Sequence, residues 1–102
     1  MQSNIIATKT WEKEDDETVM VDSYSHCIII WNDDVNTFEW VIETLMEVCG
    51  HTEEQAEQCA FIIHYNGKYA VKEGSFKTLQ PLCVAITDRG INATIEENVR
   101  KG

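Results

Sequence analysis

The chain reads as an α+β domain, a small three-stranded sheet packed with three helices in the order β-α-α-β-α-β. Three observations predict it. An Ile-rich apolar run at 27–31 has the length of a buried strand. Apolar stripes at helical spacing follow at 38–49, 56–63 and 76–86. Gly50, Gly67 and Gly90 stand at or just beyond the ends of these stripes, where a left-handed helix cap is expected. Candidate strands lie before, between and after the helices, which suits one small sheet with the helices on one face.

The first strand runs straight into three small polar residues, Asn32, Asp33 and Asp34, and a helix begins almost at once. Asn36 precedes Glu39 by three residues, the spacing of an N-cap with a Glu reaching back, so Asn36 is the expected cap of helix one. Its apolar positions are 38, 41, 42, 45, 48 and 49, with Glu39, Glu43 and Glu47 on the opposite face. Thr52 and Gln55 repeat the capping-box spacing, and Ala56, Cys59, Ala60 and Ile63 give helix two its apolar face. Phe61 and Ile62 add bulk beside that stripe, and Gly67 stops the helix.

A short second strand is expected at 69–71, followed by a turn at 72–75. Ser75 is the expected cap of helix three, whose apolar positions are Phe76, Leu79, Leu82, Cys83 and Ile86. Pro81 lacks a backbone donor, so this helix is expected to have an irregular first turn or to start near Pro81. Alternation at 91–95 marks the last strand. The domain is expected to occupy 24–97, behind a flexible arm at 1–23 and ahead of a frayed end at 98–102. The arm carries five acids in the six positions 12–17, a block that repels itself and stays solvated.

Composition bounds the function. A chain of 102 residues makes one domain and can bury roughly 65% of its unfolded surface. The net charge of −10 argues against nucleic-acid and anionic-membrane partners. Four cysteines, Cys27, Cys49, Cys59 and Cys83, are widely spaced within apolar patterns and read as reduced thiols in a cytoplasmic protein. Met1 is not followed by a basic flank and a long apolar core, so no signal peptide is expected.

The polar triplet holds the chemistry. A carbonyl and carboxylates on a tight strand-to-helix turn, beside bulky apolar neighbours, suit a small cation carrying a hydrophobic body. The same residues are also explained by simple capping of helix one. A Mg²⁺ site of the receiver type would need a further acceptor Asp, a Lys on later strand ends and a longer sheet. His64, at the end of helix two, is either a helix-terminal polar residue or an acceptor for a ligand. Zinc held by His26, Cys27, Cys49, His51 and His64 lacks any close-spaced ligand pair. A Cys-His nucleophile lacks an accompanying glycine loop to stabilise an oxyanion.

Asn32-Asp-Asp, two further residues and then Thr37-Phe-Glu-Trp-Val resemble the ClpS family of bacterial protease adaptors. Glu53-Glu-Gln-Ala-Glu-Gln and Ile63-His-Tyr-Asn-Gly67 extend the likeness, which spans roughly residues 25–96. The resemblance implies the same β-α-α-β-α-β fold and a non-enzymatic adaptor without a cofactor or metal. Such adaptors bind proteins through bulky hydrophobic N-terminal residues (N-degrons beginning with Phe, Leu, Tyr or Trp) and deliver them to a Clp-type AAA+ ATPase. A monomer is expected. By the same likeness, Asn32, Asp33 and His64 would hold the substrate's α-amino group, beside Asp34. Phe38, Ala60, Ile63 and Ile91 would wall a pocket for the first side chain, with Asn36 at its polar rim. Phe38 and Ala60 stand where members commonly carry methionines, which predicts a preference for flat aromatic side chains over β-branched ones. The interval 67–94 is shorter than in the better-known members, and part of their ATPase-contacting surface lies there. The alternative is a peptide- or partner-binding domain of the same fold without N-terminal specificity.

Overall fold

A computed structural model describes residues 24–98. The expectations for 1–23 and 99–102 lie outside those residues. Strand β1 (His26–Trp31) is followed by α1 (Phe38–Cys49), α2 (Glu53–Asn66), β2 (Lys68–Gly74), α3 (Phe76–Asp88) and β3 (Ala93–Glu97). The element order is the one the periodicities predict.

β1 is the central strand, antiparallel to β2 on one side and to β3 on the other. Ile28 and Ile30 point into the main core, at 0% and 1% exposure, where they meet Leu45, Ile63, Leu79, Ile86 and Ile91. The strand therefore joins all three helices through a single apolar cluster, which is what its run of isoleucines is for. Asn98 ties down the end of β3: its amide nitrogen donates to Ser25 O at 2.8 Å and its side chain to Tyr24 O at 2.9 Å.

Several local expectations are corrected. α1 is capped by Thr37, whose hydroxyl accepts from Trp40 N at 3.0 Å; Asn36 lies one residue earlier and bonds elsewhere. Glu39 is then a first-turn carboxylate without a capping role. β2 is longer than 69–71 because His26, Cys27 and Ile28 continue to pair with Gly74, Glu73 and Lys72. The register shifts between Ile28 and Ile29, so Val71 is the extra residue of a bulge. Its carbonyl lies 2.9 Å from His51 Nε2. A carbonyl only accepts, so Nε2 carries a proton, and buried Nδ1 has no hydrogen-bond partner among the described residues.

α3 runs unbroken from Phe76 through Pro81, with Ser75 Oγ accepting from Thr78 N at 3.1 Å. Pro81 and Lys77, four residues before it, are both exposed, so the carbonyl that loses its donor lies where water can replace it. The last strand starts at Ala93 rather than at 91, because Ile91 is drawn into the core at 2% exposure. The capping box of Thr52 with Gln55 is present in both halves, and Gly50 and Gly67 cap their helices at φ 76° and 93°.

Candidate functional site

Four element ends meet beside the polar triplet. The backbone of Asn32 donates to Gly67 O at 2.8 Å, tying the end of β1 to the end of α2. Trp31 N donates to Asn92 O at 2.9 Å, tying the same turn to the segment before β3. The Asn36 side chain donates to Gly90 O at 2.9 Å, just after α3. α3 is held to α1 by Arg89: its carbonyl accepts from Trp40 Nε1 at 3.0 Å, and its guanidinium pairs with Glu47 at 2.8 Å.

Within this frame Asp33 is fixed by three donors. Oδ1 accepts from the backbone of Asn36 and of Val35, each at 2.9 Å, and Oδ2 accepts from Asn36 Nδ2 at 2.9 Å. The Asn36 backbone bond, aided by the other two and opposed by partial burial, holds the carboxyl below its ordinary range. About four lone-pair sites are available on a carboxylate, so roughly one remains for a ligand. Asp33 also stands just ahead of α1, where its charge complements the helix N-terminus. By contrast, Asn32, Asp34 and His64 make no side-chain hydrogen bond among the described residues. His64 packs edge-on to Phe38, with ring centroids 6.2 Å apart.

A cavity of about 370 Å³ opens between these groups. Asn32, Asp33, Asp34 and Asn36 line its turn side, and Phe38, Ala60, Ile63 and His64 line the helix side. The structure thus brings together all of the expected residues except Ile91, which belongs to the core and does not line the cavity. Thr37 and Val41 also line it and are absent from the sequence expectations. Val41 was signalled by its spacing, three residues after Phe38 on the same helical face. Thr37 was hidden behind the assignment of the cap to Asn36.

The lining of the cavity is of two kinds. A fixed carboxylate, a side-chain carbonyl, a second carboxylate and an imidazole share it with the apolar side chains of Phe38, Val41, Ala60 and Ile63. A cationic donor group with an apolar body satisfies both kinds, and the partial negative charge at the end of α2 adds to the attraction. Among the described residues, no three His, Cys, Asp or Glu side chains are grouped as metal ligands would be. All four cysteines are free; burial pushes the Cys49 thiol up to about 11, far from a reactive thiolate. No helix among the described residues is long and apolar enough to cross a membrane.

The chain is similar to known proteins in sequence and in fold. The family model for the ATP-dependent Clp protease adaptor protein ClpS matches residues 22–94. The ClpS adapter of Mycobacterium tuberculosis is 26% identical over 89 residues, covering 87% of each chain. The mouse E3 ubiquitin-protein ligase UBR2 is 33% identical over 72 residues, which are 67% of this chain but only 4% of that protein. The structure of Agrobacterium tumefaciens ClpS2 bound to L-phenylalaninamide superimposes with a TM-score of 0.71 at 20% identity, covering 74% of this chain and 99% of that one. At that identity it speaks for the fold alone. The family match extends over most of the chain, and the fold accords with it: the chain belongs to the ClpS family of adaptors of the ATP-dependent Clp protease.

Proposed function

We propose that the cavity binds the free α-amino group and first side chain of protein substrates with bulky hydrophobic N-termini, which the chain then delivers to a Clp-type ATPase. The observation that carries this reading is the mixed lining of the cavity, which combines acceptors of Asn32, Asp33, Asp34 and His64 with the apolar walls of Phe38, Val41, Ala60 and Ile63. An α-ammonium has three donors and no acceptor, so converging acceptors are what it needs. Each charge-assisted bond contributes roughly 1.5–3 kcal/mol. Burying a Leu- or Phe-sized side chain contributes roughly as much again. The volume is at the small end of ligand sites, which suits one side chain rather than an extended peptide. The phenylalaninamide held by the Agrobacterium relative carries the same two features, a free amine and an aromatic side chain. Phe38 at the entrance and the small Ala60 favour flat aromatic residues over Ile and Val. In this reading the chain acts as a monomer in the cytoplasm and needs no cofactor.

A second reading is supported by the three donors that already occupy Asp33. They make it a structural clamp for the turn, and the domain would then bind peptides or partners without N-terminal specificity. One experiment separates the two. Fluorescence anisotropy would compare short peptides beginning with Phe, Trp, Leu, Ile and Val, each with a free and an acetylated terminus. Acetylation removes the charge and two donors, so binding should be abolished. Equal affinity for free and acetylated Phe peptides decides for the second reading.

A further inference from the structure

The outer faces of α1 and α2 enclose a second and larger concavity, about 830 Å³. Its floor is apolar: Phe38, Ile42 and Met46 from α1, Phe61 and Ile62 from α2. Phe61 is 55% exposed, Phe38 39% and Met46 38%, so large apolar side chains stand open to solvent side by side. Exposed apolar patches rimmed by polar residues are characteristic of interaction surfaces.

The rim has a single sign. Glu39, Glu43, Glu47, Glu53 and Glu57 line the groove, and no Lys, Arg or His does so among the described residues. Glu47 is paired with Arg89; the other four have no ion pair among the described residues. Glu39 and Glu53 lie in first helical turns, where the helix N-terminus accounts for a carboxylate. Glu43 and Glu57 lie mid-helix and have no such local reason.

We infer that this groove docks a basic amphipathic helix of a partner protein, its apolar stripe on the floor and its Lys and Arg side chains against the glutamate walls. Phe38, Ile42 and Met46 repeat every fourth residue and cover about 12 Å along α1, the reach of an i, i+4, i+7 stripe on a facing helix. Charge decides between occupants. Residues 1–23 would bring the acid block 12–17 against acidic walls, and a second copy would bring a net charge of −10. Nucleic acid and anionic lipid are disfavoured by the same sign. The groove shares only Phe38 with the smaller cavity, so the inference does not depend on the N-terminal reading.

The test uses the full chain and a fluorescein-labelled, N-terminally acetylated peptide of about four helical turns. Leu occupies the i, i+3, i+4 and i+7 positions and Lys flanks them; acetylation keeps the peptide from offering an α-amine. One control replaces Lys by Glu, and another permutes the same composition so that the stripe is lost. The amphipathic Lys peptide should bind at least about tenfold tighter than either control. Its affinity should rise as salt falls. Combining Met46→Ser with Phe61→Ser, both at exposed positions, should weaken binding at least about tenfold. Glu43→Gln with Glu57→Gln should flatten the salt dependence, and thermal melts would verify that both variants fold. If the serine variant misfolds, the glutamine variant alone decides. Equal binding of the permuted peptide would indicate unspecific attraction to an acidic protein and overturn the inference. Failure of the full chain to bind the Lys peptide would also overturn it, as would a groove-variant-sensitive dimer in sedimentation or unaltered binding by the variants.

Discussion

Asn36 donates one amide group to two acceptors, Asp33 Oδ2 and Gly90 O, and its backbone holds Asp33 Oδ1. Thr37, next to it, caps α1 and does nothing for Asp33. The two are therefore separable. Asn36→Ala and Thr37→Ala should each cost about 1 kcal/mol of stability, one through lost hydrogen bonds and one through a lost cap. Asn36→Ala should weaken a free Phe peptide by about tenfold, and more than Thr37→Ala does, because Asp33 loses its fixed orientation whereas Thr37 only lines the cavity. Urea denaturation with peptide titration checks both, and weakening by Thr37→Ala alone would place the critical contact elsewhere. Asp33 also sets an acid limit. Its folded carboxyl is held below the unfolded value by donors that prefer the charged form, so its stabilising effect is fully present above about pH 4. That effect is lost as pH falls through the folded value. The denaturation midpoint should drop in that window, and Asp33→Asn should make the drop shallower; an equal slope in both proteins would take Asp33 out of the account.

The elements were legible wherever a rule acts locally. Thr52 with Gln55, Gly50, Gly67 and the Ala56–Cys59–Ala60–Ile63 face all act within one helix, and the sequence carries them unaided. The misreadings arose where tertiary demand overrides the local pattern. Asn36 has the spacing of a cap but is pulled away by Asp33 and by Gly90, far along the chain. Lys72-Glu-Gly reads as a turn but pairs with β1, a partner no local rule can supply. Ile91 alternates like a strand residue and is instead absorbed by the core, which also removes it from the cavity wall. Pro81 is the clearest case, since α3 tolerates it by exposing the unpaired turn. Replacing it should restore a hydrogen bond: Pro81→Ala is expected to stabilise the domain by about 1–3 kcal/mol. Chemical denaturation measures this directly, and destabilisation would mean that the ring makes packing contacts worth more than the bond.

On the scale of the whole molecule, one apolar cluster joins the central strand to three helices, while the candidate site lies where element ends converge. The cluster follows from periodicity. The convergence does not, because it depends on three backbone carbonyls, those of Gly67, Gly90 and Asn92, that no side-chain pattern reveals. Those carbonyls anchor the polar turn to α2 and to the segment between α3 and β3 before any ligand arrives. The consequence is kinetic. A turn already fastened on both sides has little left to rearrange, so ligands of the cavity should associate at nearly one common rate and differ in how long they stay. Stopped-flow mixing with Phe, Trp and Leu peptides should show association constants within about threefold, with the spread in affinity carried by dissociation. Loosening the fastening with Asn36→Ala should slow association for all of them alike, whereas an association rate that follows the side chain would mean that the turn closes only upon the ligand.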